Sequence, residues 1–232
     1  MRRLTVCLAV VGLVTAFGAS SAGAAGGDVE KFCKTAIKVD QVEEPGEKLL
    51  AKFSDTAPPE IVDTVDAAIT QFQEEGEAAF EDEAFIALLA EIDQFVVDNC
   101  GFEVVDVTMQ DYAFDGLPAE LPTGTVALRL TNEGTELHEM HFHRLTGDST
   151  LDDLLALGDD ATEEDAEGLG PEIKGGGFAF PGASDVAFVT FKKPGTYVAL
   201  CSIPVGSTPD AEEGGDGPPH FSQGMAAEFE VT

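Results

Sequence analysis

The spacing of apolar residues changes at Gly101, and this change constrains the fold of the 232-residue chain more than any other feature. Before Gly101 apolar residues recur at intervals of three and four, as in an amphipathic helix, and after it they alternate, as in half-buried strands. Helices followed by strands predict an α+β protein. We expect a small α-helical bundle domain over 26–101 and an antiparallel Greek-key β-sandwich over 102–232.

Short amphipathic helices account for the pattern of the first part. The clearest runs from about Asp82 to Asn99, and Gly101 after it is typical of a helix C-terminal stop. The acidic residues between the apolar stripes are expected to be solvated, and no catalytic grouping occurs among them. The stripes that predict four helices lie at 29–37, 49–53, 61–72 and 85–96.

The first 25 residues are predicted to be a secretory signal peptide, outside both domains. Two arginines follow Met1, residues 4–17 are almost entirely apolar, and small residues at 21–25 suit a cleavage site. The apolar run is shorter than a membrane span, and no second run of that length follows. We therefore expect an exported protein, secreted or held in the cell envelope or periplasm, without a transmembrane segment in its mature form.

The charge of the chain is strongly negative, with 12 Lys and Arg against 44 Asp and Glu, a formal net charge of −32. Nucleic-acid binding requires a positive surface, so this class of function is excluded. The acidity is compatible with high solubility, and it is also compatible with a basic redox partner protein. Composition does not choose between these two interpretations or fix the oligomeric state.

The cysteines predict one disulfide and one unpaired thiol once the signal peptide, which contains Cys7, has been removed. Cys33 and Cys100 lie at opposite ends of the helical segment, and exported proteins usually pair their cysteines. A Cys33–Cys100 disulfide would leave Cys201 free. From the cysteine count alone, Cys201 is equally compatible with an inert buried thiol and with a thiolate ligand.

The segment 195–225 concentrates soft metal-ligand types on one loop. A strand-like run leads to Cys201, an acidic and glycine-rich loop follows, and the chain returns with His220 and, after four intervening residues, Met225. A thiolate, an imidazole and a thioether together suit copper. Such a site needs a second imidazole from another part of the chain.

The strand expected around residues 137–145 supplies that imidazole. His138, Met140 and Phe142 share one face by alternation, and the two apolar side chains mark this face as the core side. His138 is therefore the candidate ligand, although a buried imidazole with a purely structural role has the same pattern. His141 and His143 share the other face, where we expect them to contact solvent, with a surface metal pair as the less favoured alternative.

Taken together, these residues resemble the cupredoxin family of small blue-copper β-sandwiches, over roughly residues 103–232. The resemblance implies that His138, Cys201, His220 and Met225 are the ligands of one type 1 copper. It also implies electron transfer as the function, and no enzymatic activity of its own. Two features depart from the family pattern: residues 210–217 lengthen the ligand loop, and Glu139 follows the first His where the family often has Asn.

Some alternatives stay open at the level of sequence. The acidic segment at about 148–177 is expected to be an insertion over one edge of the sandwich, as a lid, a partner surface or a crossover. A copper-free protein, or one that stores or delivers copper, would be an exported binding or interaction module on the same scaffold. An enzyme is disfavoured, because the sequence contains no HExxH motif, phosphate loop or recognisable Ser/His/Asp grouping.

Overall fold

The computed structural model describes residues 26–42, 44–209 and 214–232. The predicted signal peptide lies outside the described residues, as do residues 210–213 of the long ligand loop. Within the described ranges, no helix is long and apolar enough to cross a membrane.

The helical part contains four α-helices, as the apolar stripes predict. Asp82 caps the fourth helix by accepting hydrogen bonds from the backbone N–H groups of Ala84 and Phe85. The predicted disulfide between Cys33 and Cys100 is confirmed, and it joins the first helix to the end of the fourth. The helices are α1 (Gly26–Asp40), α2 (Glu47–Thr56), α3 (Val62–Glu75) and α4 (Glu83–Asn99), with a 3-10 segment at Gly76–Glu81.

The strands of the second part form two sheets packed face to face, so the predicted α+β class is confirmed. The first sheet has the order β2-β1-β4-β7, and the second has the order β3-β9-β8-β5-β6. The strands are β1 (Glu103–Gln110), β2 (Ala113–Asp115), β3 (Glu120–Leu121), β4 (Gly124–Asn132), β5 (His138–Arg144), β6 (Glu172–Ala179), β7 (Ser184–Phe191), β8 (Gly195–Leu200) and β9 (Ala226–Val231).

The sheets are mixed, which corrects the expectation of a purely antiparallel sandwich. Strand β1 pairs with β4 in parallel, and β3 pairs with β9 in parallel. A parallel pair needs a connection long enough to return the chain to the same end of the sheet. The segment between Gln110 and Gly124 provides this length. It forms β2 at the edge of the first sheet and then β3 in the second sheet before the chain returns to β4.

The helical part packs on the outer face of the four-stranded sheet. Ala127 of β4 and Phe188 of β7 are buried in the same apolar cluster as the helical side chains. At the edge of that sheet, Gln41 donates from Nε2 to the Phe188 carbonyl oxygen at 3.1 Å. The helices are therefore a third layer that shares its core with the sandwich.

The segment expected to be an insertion covers the outer face of the second sheet. It forms the short helices α5 (Leu151–Leu155) and α6 (Glu163–Glu167), and then strand β6. Leu154 packs in one cluster with Leu200 of β8 and with Phe221, the neighbour of His220. This cover explains why His143 is 3% exposed, against the expectation that it contacts solvent.

Strand β6 contains the run of glycines at 175–177, which breaks the strand pattern in the sequence. The glycines are required there by close approach to neighbouring backbone. A Cβ at Gly176 would lie 2.5 Å from the Met140 carbonyl oxygen, and Gly176 has a φ of +158°. Such a strand has no side-chain alternation to detect, although its pairing with β5 is regular on either side of a bulge.

Candidate metal centre

Three of the predicted ligand side chains converge at the end of the sandwich. His138 Nδ1 lies 3.1 Å from His220 Nδ1, and the same His220 atom lies 3.3 Å from Cys201 Sγ. One ligand atom from each residue lies within 4.8 Å of the other two. All three residues are 0% exposed. Among the described residues, this is the group of His, Cys and acidic side chains compact enough to surround one metal ion.

Backbone hydrogen bonds fold the ligand loop so that its donors meet. Cys201 directly follows strand β8, and its carbonyl oxygen accepts from Phe221 N at 2.8 Å. Met225 N donates to the His220 carbonyl oxygen at 3.1 Å, and Cys201 N donates to the Met225 carbonyl oxygen at 3.2 Å. Gly224 permits this tight return, because its φ of +109° lies in the region that favours glycine.

Met225, the predicted fourth ligand, is hydrogen-bonded through its backbone to Cys201 and His220. Its side chain is 0% exposed and belongs to the same core cluster as Cys201. Its position is fixed by the turn that precedes β9, so the thioether is held in the interior at this end of the sandwich.

The loop before His138 is held by side-chain hydrogen bonds to backbone. Asn132 Nδ2 donates to the carbonyl oxygens of Glu136 and Ala179, both at 2.8 Å. Gly134 N donates to Asn132 Oδ1, also at 2.8 Å. A Cβ at Gly134 would lie 2.6 Å from His138 Nε2. The imidazole of His138 is therefore packed directly against a position that only glycine fills without displacement.

Both imidazoles are bound by carboxylates at the nitrogen that points away from the cluster. Asp111 Oδ1 lies 2.8 Å from His138 Nε2, and Glu136 Oε2 lies 3.1 Å from His220 Nε2. A carboxylate accepts from Nε2–H, which leaves the lone pair on Nδ1 facing the centre. Sequence reasoning missed both carboxylates, because each lies in a turn and meets its histidine only in the folded chain.

Tyr112 completes the surroundings of His220. Its ring centroid lies 4.7 Å from that of His220, and its hydroxyl donates to Glu136 Oε1 at 2.9 Å. Burial and the hydrogen bond with Glu136 raise the pKa of Tyr112 to about 12. Tyr112 is half-buried, so it separates the fully buried His220 ring from solvent.

The residue after the first histidine, Glu139, links β5 to the ligand loop. Its backbone N–H donates to Cys201 Sγ at 3.4 Å, and its carboxylate accepts from Ser202 N at 3.0 Å. Glu139 therefore ties strand β5 to the ligand loop through both its backbone and its side chain. Burial raises the pKa of Glu139 and raises that of the Cys201 thiol to about 12.

The pKa values of the other site residues follow from burial and hydrogen bonding. Burial lowers the pKa of His220, against the opposing effect of Glu136. Burial acts to raise the pKa of Asp111 and Glu136, but the hydrogen bonds that each carboxylate accepts lower both values overall. The metal-free cluster therefore combines a neutral thiol with two ionised carboxylates behind the imidazoles.

His141 and His143 do not contribute to the cluster. Burial lowers the pKa of His141 to about 4, and its Nε2 lies 2.8 Å from Ser202 Oγ. His143 Nδ1 lies 3.0 Å from the Gly170 carbonyl oxygen. Each imidazole has a protein hydrogen-bond partner, which accounts for its burial without a metal.

The donor set of the cluster fits copper. Thiolate and imidazole donors suit a soft or borderline metal, and a nearby thioether is a weak additional donor typical of copper sites. The donors come from different segments that are joined by backbone hydrogen bonds, so they lie close together only in the folded chain.

No protein-family model matches the sequence, and no curated protein sequence does. A reduced auracyanin from the photosynthetic bacterium Roseiflexus castenholzii is similar in structure, at 23% identity and a TM-score of 0.35, over 56% of this chain and 96% of that one. Auracyanin A, a "blue" copper protein from Chloroflexus aurantiacus, is similar at 18% identity and a TM-score of 0.34, over 57% of this chain and all (100%) of that one.

Rusticyanin from Thiobacillus ferrooxidans is similar at 16% identity and a TM-score of 0.30, over 56% of this chain and 78% of that one. These neighbours are cupredoxins. They match the C-terminal part of the chain, in agreement with the resemblance seen in the sequence. A multicopper oxidase also occurs among the similar structures.

Proposed function

We propose that this protein binds one copper ion at His138, Cys201 and His220, with Met225 as a weak fourth donor, and that it transfers electrons. The observation that carries the proposal is the convergence of two imidazole Nδ1 atoms and one thiol Sγ within 4.8 Å in a fully buried cluster. A bound copper would supply a one-electron couple at this position.

Each residue has a chemical role in this proposal. Cys201 gives up its thiol proton on metal binding, because the thiolate is the ligand form. Asp111 and Glu136 hold the protons of the two imidazoles on Nε2, so that both Nδ1 lone pairs are available. The backbone bonds among Cys201, His220 and Met225 hold the loop in the same arrangement before and after electron transfer.

Electron transfer fits the burial of the cluster better than catalysis does. A catalytic metal site keeps a position open for substrate or water. His138, Cys201 and His220 are each 0% exposed, and the ring of Tyr112 packs at a tilt against that of His220. An electron can cross such a protein shell, whereas a substrate molecule has no access.

Export and a basic redox partner belong to the same proposal. The Cys33–Cys100 disulfide supports an oxidising compartment, where such bonds persist. A net charge of −32 favours association with a positively charged partner surface through electrostatic steering. A copper-storing or copper-free interaction module is the competing function, and the titration below distinguishes it.

The test is a titration of the chain from Gly26 with Cu(II), followed by visible absorption spectroscopy. We expect an intense thiolate-to-copper band that saturates at about one copper per chain. Cys201→Ser should abolish this band, whereas the control His143→Gln, which alters a buried histidine outside the cluster, should keep it. A wild-type protein that folds, keeps Cys201 as a free thiol and develops no band would overturn the blue-copper proposal.

A further inference from the structure

The helical layer contains an apolar cavity of about 220 Å³ that is partly open to solvent and shares no lining residue with the candidate metal centre. It lies between α1, α2, α3, α4 and the outer face of β7, and most of its wall is apolar. Among the residues that line it are Phe53, Ala68, Phe72, Phe85, Ile92 and Phe188.

The cavity is large enough for an aromatic ring with a short chain attached. An engineered apolar cavity of about 150 Å³ is sufficient to bind benzene. The additional volume here corresponds roughly to two or three further carbon atoms. Phe80, which is 54% exposed, packs edge-on against Phe72 and Phe85 and so covers the cavity from the solvent side.

Two carboxyl groups interrupt this apolar wall. Asp40 lies at the end of α1 and Asp93 lies in α4, and both line the cavity. Asp40 accepts a hydrogen bond from Phe188 N, whereas within the described residues no hydrogen bond or cation supports Asp93. Burial, followed by the charges of Asp40 and Asp185, raises the pKa of Asp93 to about 8.

These features together specify a ligand with two parts. An apolar body fits the aromatic wall, since apolar ligands bind in largely apolar pockets that contain a few polar groups. A positive group would stabilise the ionised forms of two neighbouring carboxyls that no Lys or Arg of the described residues pairs with. We propose that the cavity binds a small organic amine, with its apolar body in the aromatic cavity and its ammonium group between Asp93 and Asp40.

This site is independent of copper. The apolar cluster around the cavity includes Ala127 and Phe188 from the sandwich, both on the outer face of the four-stranded sheet. The candidate metal ligands lie at the end of the sandwich, and Cys201 and Met225 belong to a different core cluster. The proposal would therefore assign a ligand-binding function to the helical layer, whether or not the sandwich binds a metal.

The test compares a cation with a neutral molecule of the same size. We would titrate the chain from Gly26 with 2-phenylethylamine, which is protonated at pH 7.5 as a Lys side chain is, and with 2-phenylethanol. Isothermal titration calorimetry and thermal unfolding would be used on the same samples. We expect the amine to bind at least tenfold more tightly than the alcohol and to raise the unfolding temperature.

Two variants and a control make the test specific. Asp93→Asn should remove the preference for the amine, whereas Asp98→Asn, an exposed position on the same helix, should retain it. Ala68→Leu should fill the cavity and abolish binding of both compounds while the protein stays folded. Equal affinity for amine and alcohol, an unchanged preference in Asp93→Asn, or no binding of either compound at millimolar concentration would overturn the proposal.

Discussion

Asp111 and Glu136 place a negative charge behind each of the imidazoles that face the candidate copper position. A carboxylate partner strengthens an imidazole as a donor and fixes which nitrogen carries the proton. It also favours the more positive oxidation state of a nearby metal, because opposite charges attract more strongly at low effective dielectric. With Tyr112 bound to Glu136, the residues around His220 form one connected network.

A Glu136→Gln variant tests this electrostatic effect. The amide keeps the size of the side chain but removes the negative charge next to His220, so the copper-loaded protein should be easier to reduce. We expect its reduction potential to rise by about 60 mV, a tenfold change in the reduction equilibrium for one electron. The matched control is Glu133→Gln, an exposed position in the same loop. Equal potentials for Glu136→Gln and wild type in electrochemical titration would refute the role assigned to Glu136.

Gly134 has a steric role that a second substitution can measure. The Cβ of Gly134→Ala would lie 2.6 Å from His138 Nε2 and closer still to Asp111 Oδ1. The side chains of His138 and Asp111 must therefore move to make room for the methyl group. We expect Cu(II) affinity to fall about tenfold, as when supporting residues of metal sites are altered. Competition against a chelator would measure it, with Gly46→Ala as the control because a Cβ there has open space. Unchanged affinity in Gly134→Ala would show that the loop accommodates the methyl group.

At the scale of the elements, sequence patterns predicted the segments whose side chains alternate or recur regularly. Helix α4 follows from its apolar stripe and from Asp82, which caps it. Strand β6 was missed because glycines replace its side chains where it approaches Met140 and Phe188, and this closeness is a tertiary property. The burial of His143 was missed for a related reason, since α5 and α6 cover its face of the sheet from outside.

The candidate site shows the same division between local and tertiary information. Cys201, His220 and Met225 lie on one loop in a recognisable order, so the sequence alone singles them out, and alternation on β5 adds His138. Glu136 lies two residues from His138 but carries no signal of its own, because it binds an imidazole 84 positions away in the sequence. Hydrogen-bond partners of this kind follow from the assembled fold and not from any local pattern.

The Cys33–Cys100 disulfide ties the first helix of the helical layer to the end of the last one. A Cys33→Ser/Cys100→Ser double variant opens a loop with a sequence separation of 67 residues. On the chain-entropy account we expect the free energy of unfolding to fall by ~4 kcal/mol, measured by urea denaturation. Cys201→Ser is the control, because it removes a cysteine and leaves the disulfide intact. A loss below about 1 kcal/mol would contradict the entropic account of this bond.

For the whole molecule, the excess of negative charge is most consequential where the helical layer meets the sandwich. Asp40 of α1, Asp93 of α4 and Asp185 of β7 face one another across this boundary. Asp40 and Asp185 accept backbone hydrogen bonds, from Phe188 and from Phe178 respectively, and so have some compensation. Asp93 has none among the described residues, so its ionisation opposes the packing of the layers.

The cost of ionising Asp93 in the folded protein predicts how stability depends on pH. The pKa of Asp93 is raised from 3.8 to about 8 in the folded protein, so the folded state retains a proton that the unfolded chain releases. The free energy of unfolding should therefore fall as pH rises through this range. His141, with its pKa lowered from 6.5 to about 4, acts in the opposite direction but only below its ordinary value. Burial also raises the pKa of Asp40 to about 7, so Asp40 contributes to the fall below this value. The window from about pH 7 to about 8 is therefore dominated by Asp93.

Asp93→Asn replaces the protonated carboxyl by an amide of similar shape and so separates charge from packing. We would measure the free energies of unfolding of the variant and the wild type in urea at pH 7 and at pH 8. The advantage of the variant should grow by about 1 kcal/mol between these values, because the wild type takes up close to one proton on folding in this range and the variant takes up none. Asp98→Asn, on the exposed face of the same helix, should follow the wild type at both values. If Asp93→Asn and the wild type instead show the same slope of stability against pH, the interlayer carboxyl is solvated and does not govern the docking of the helices.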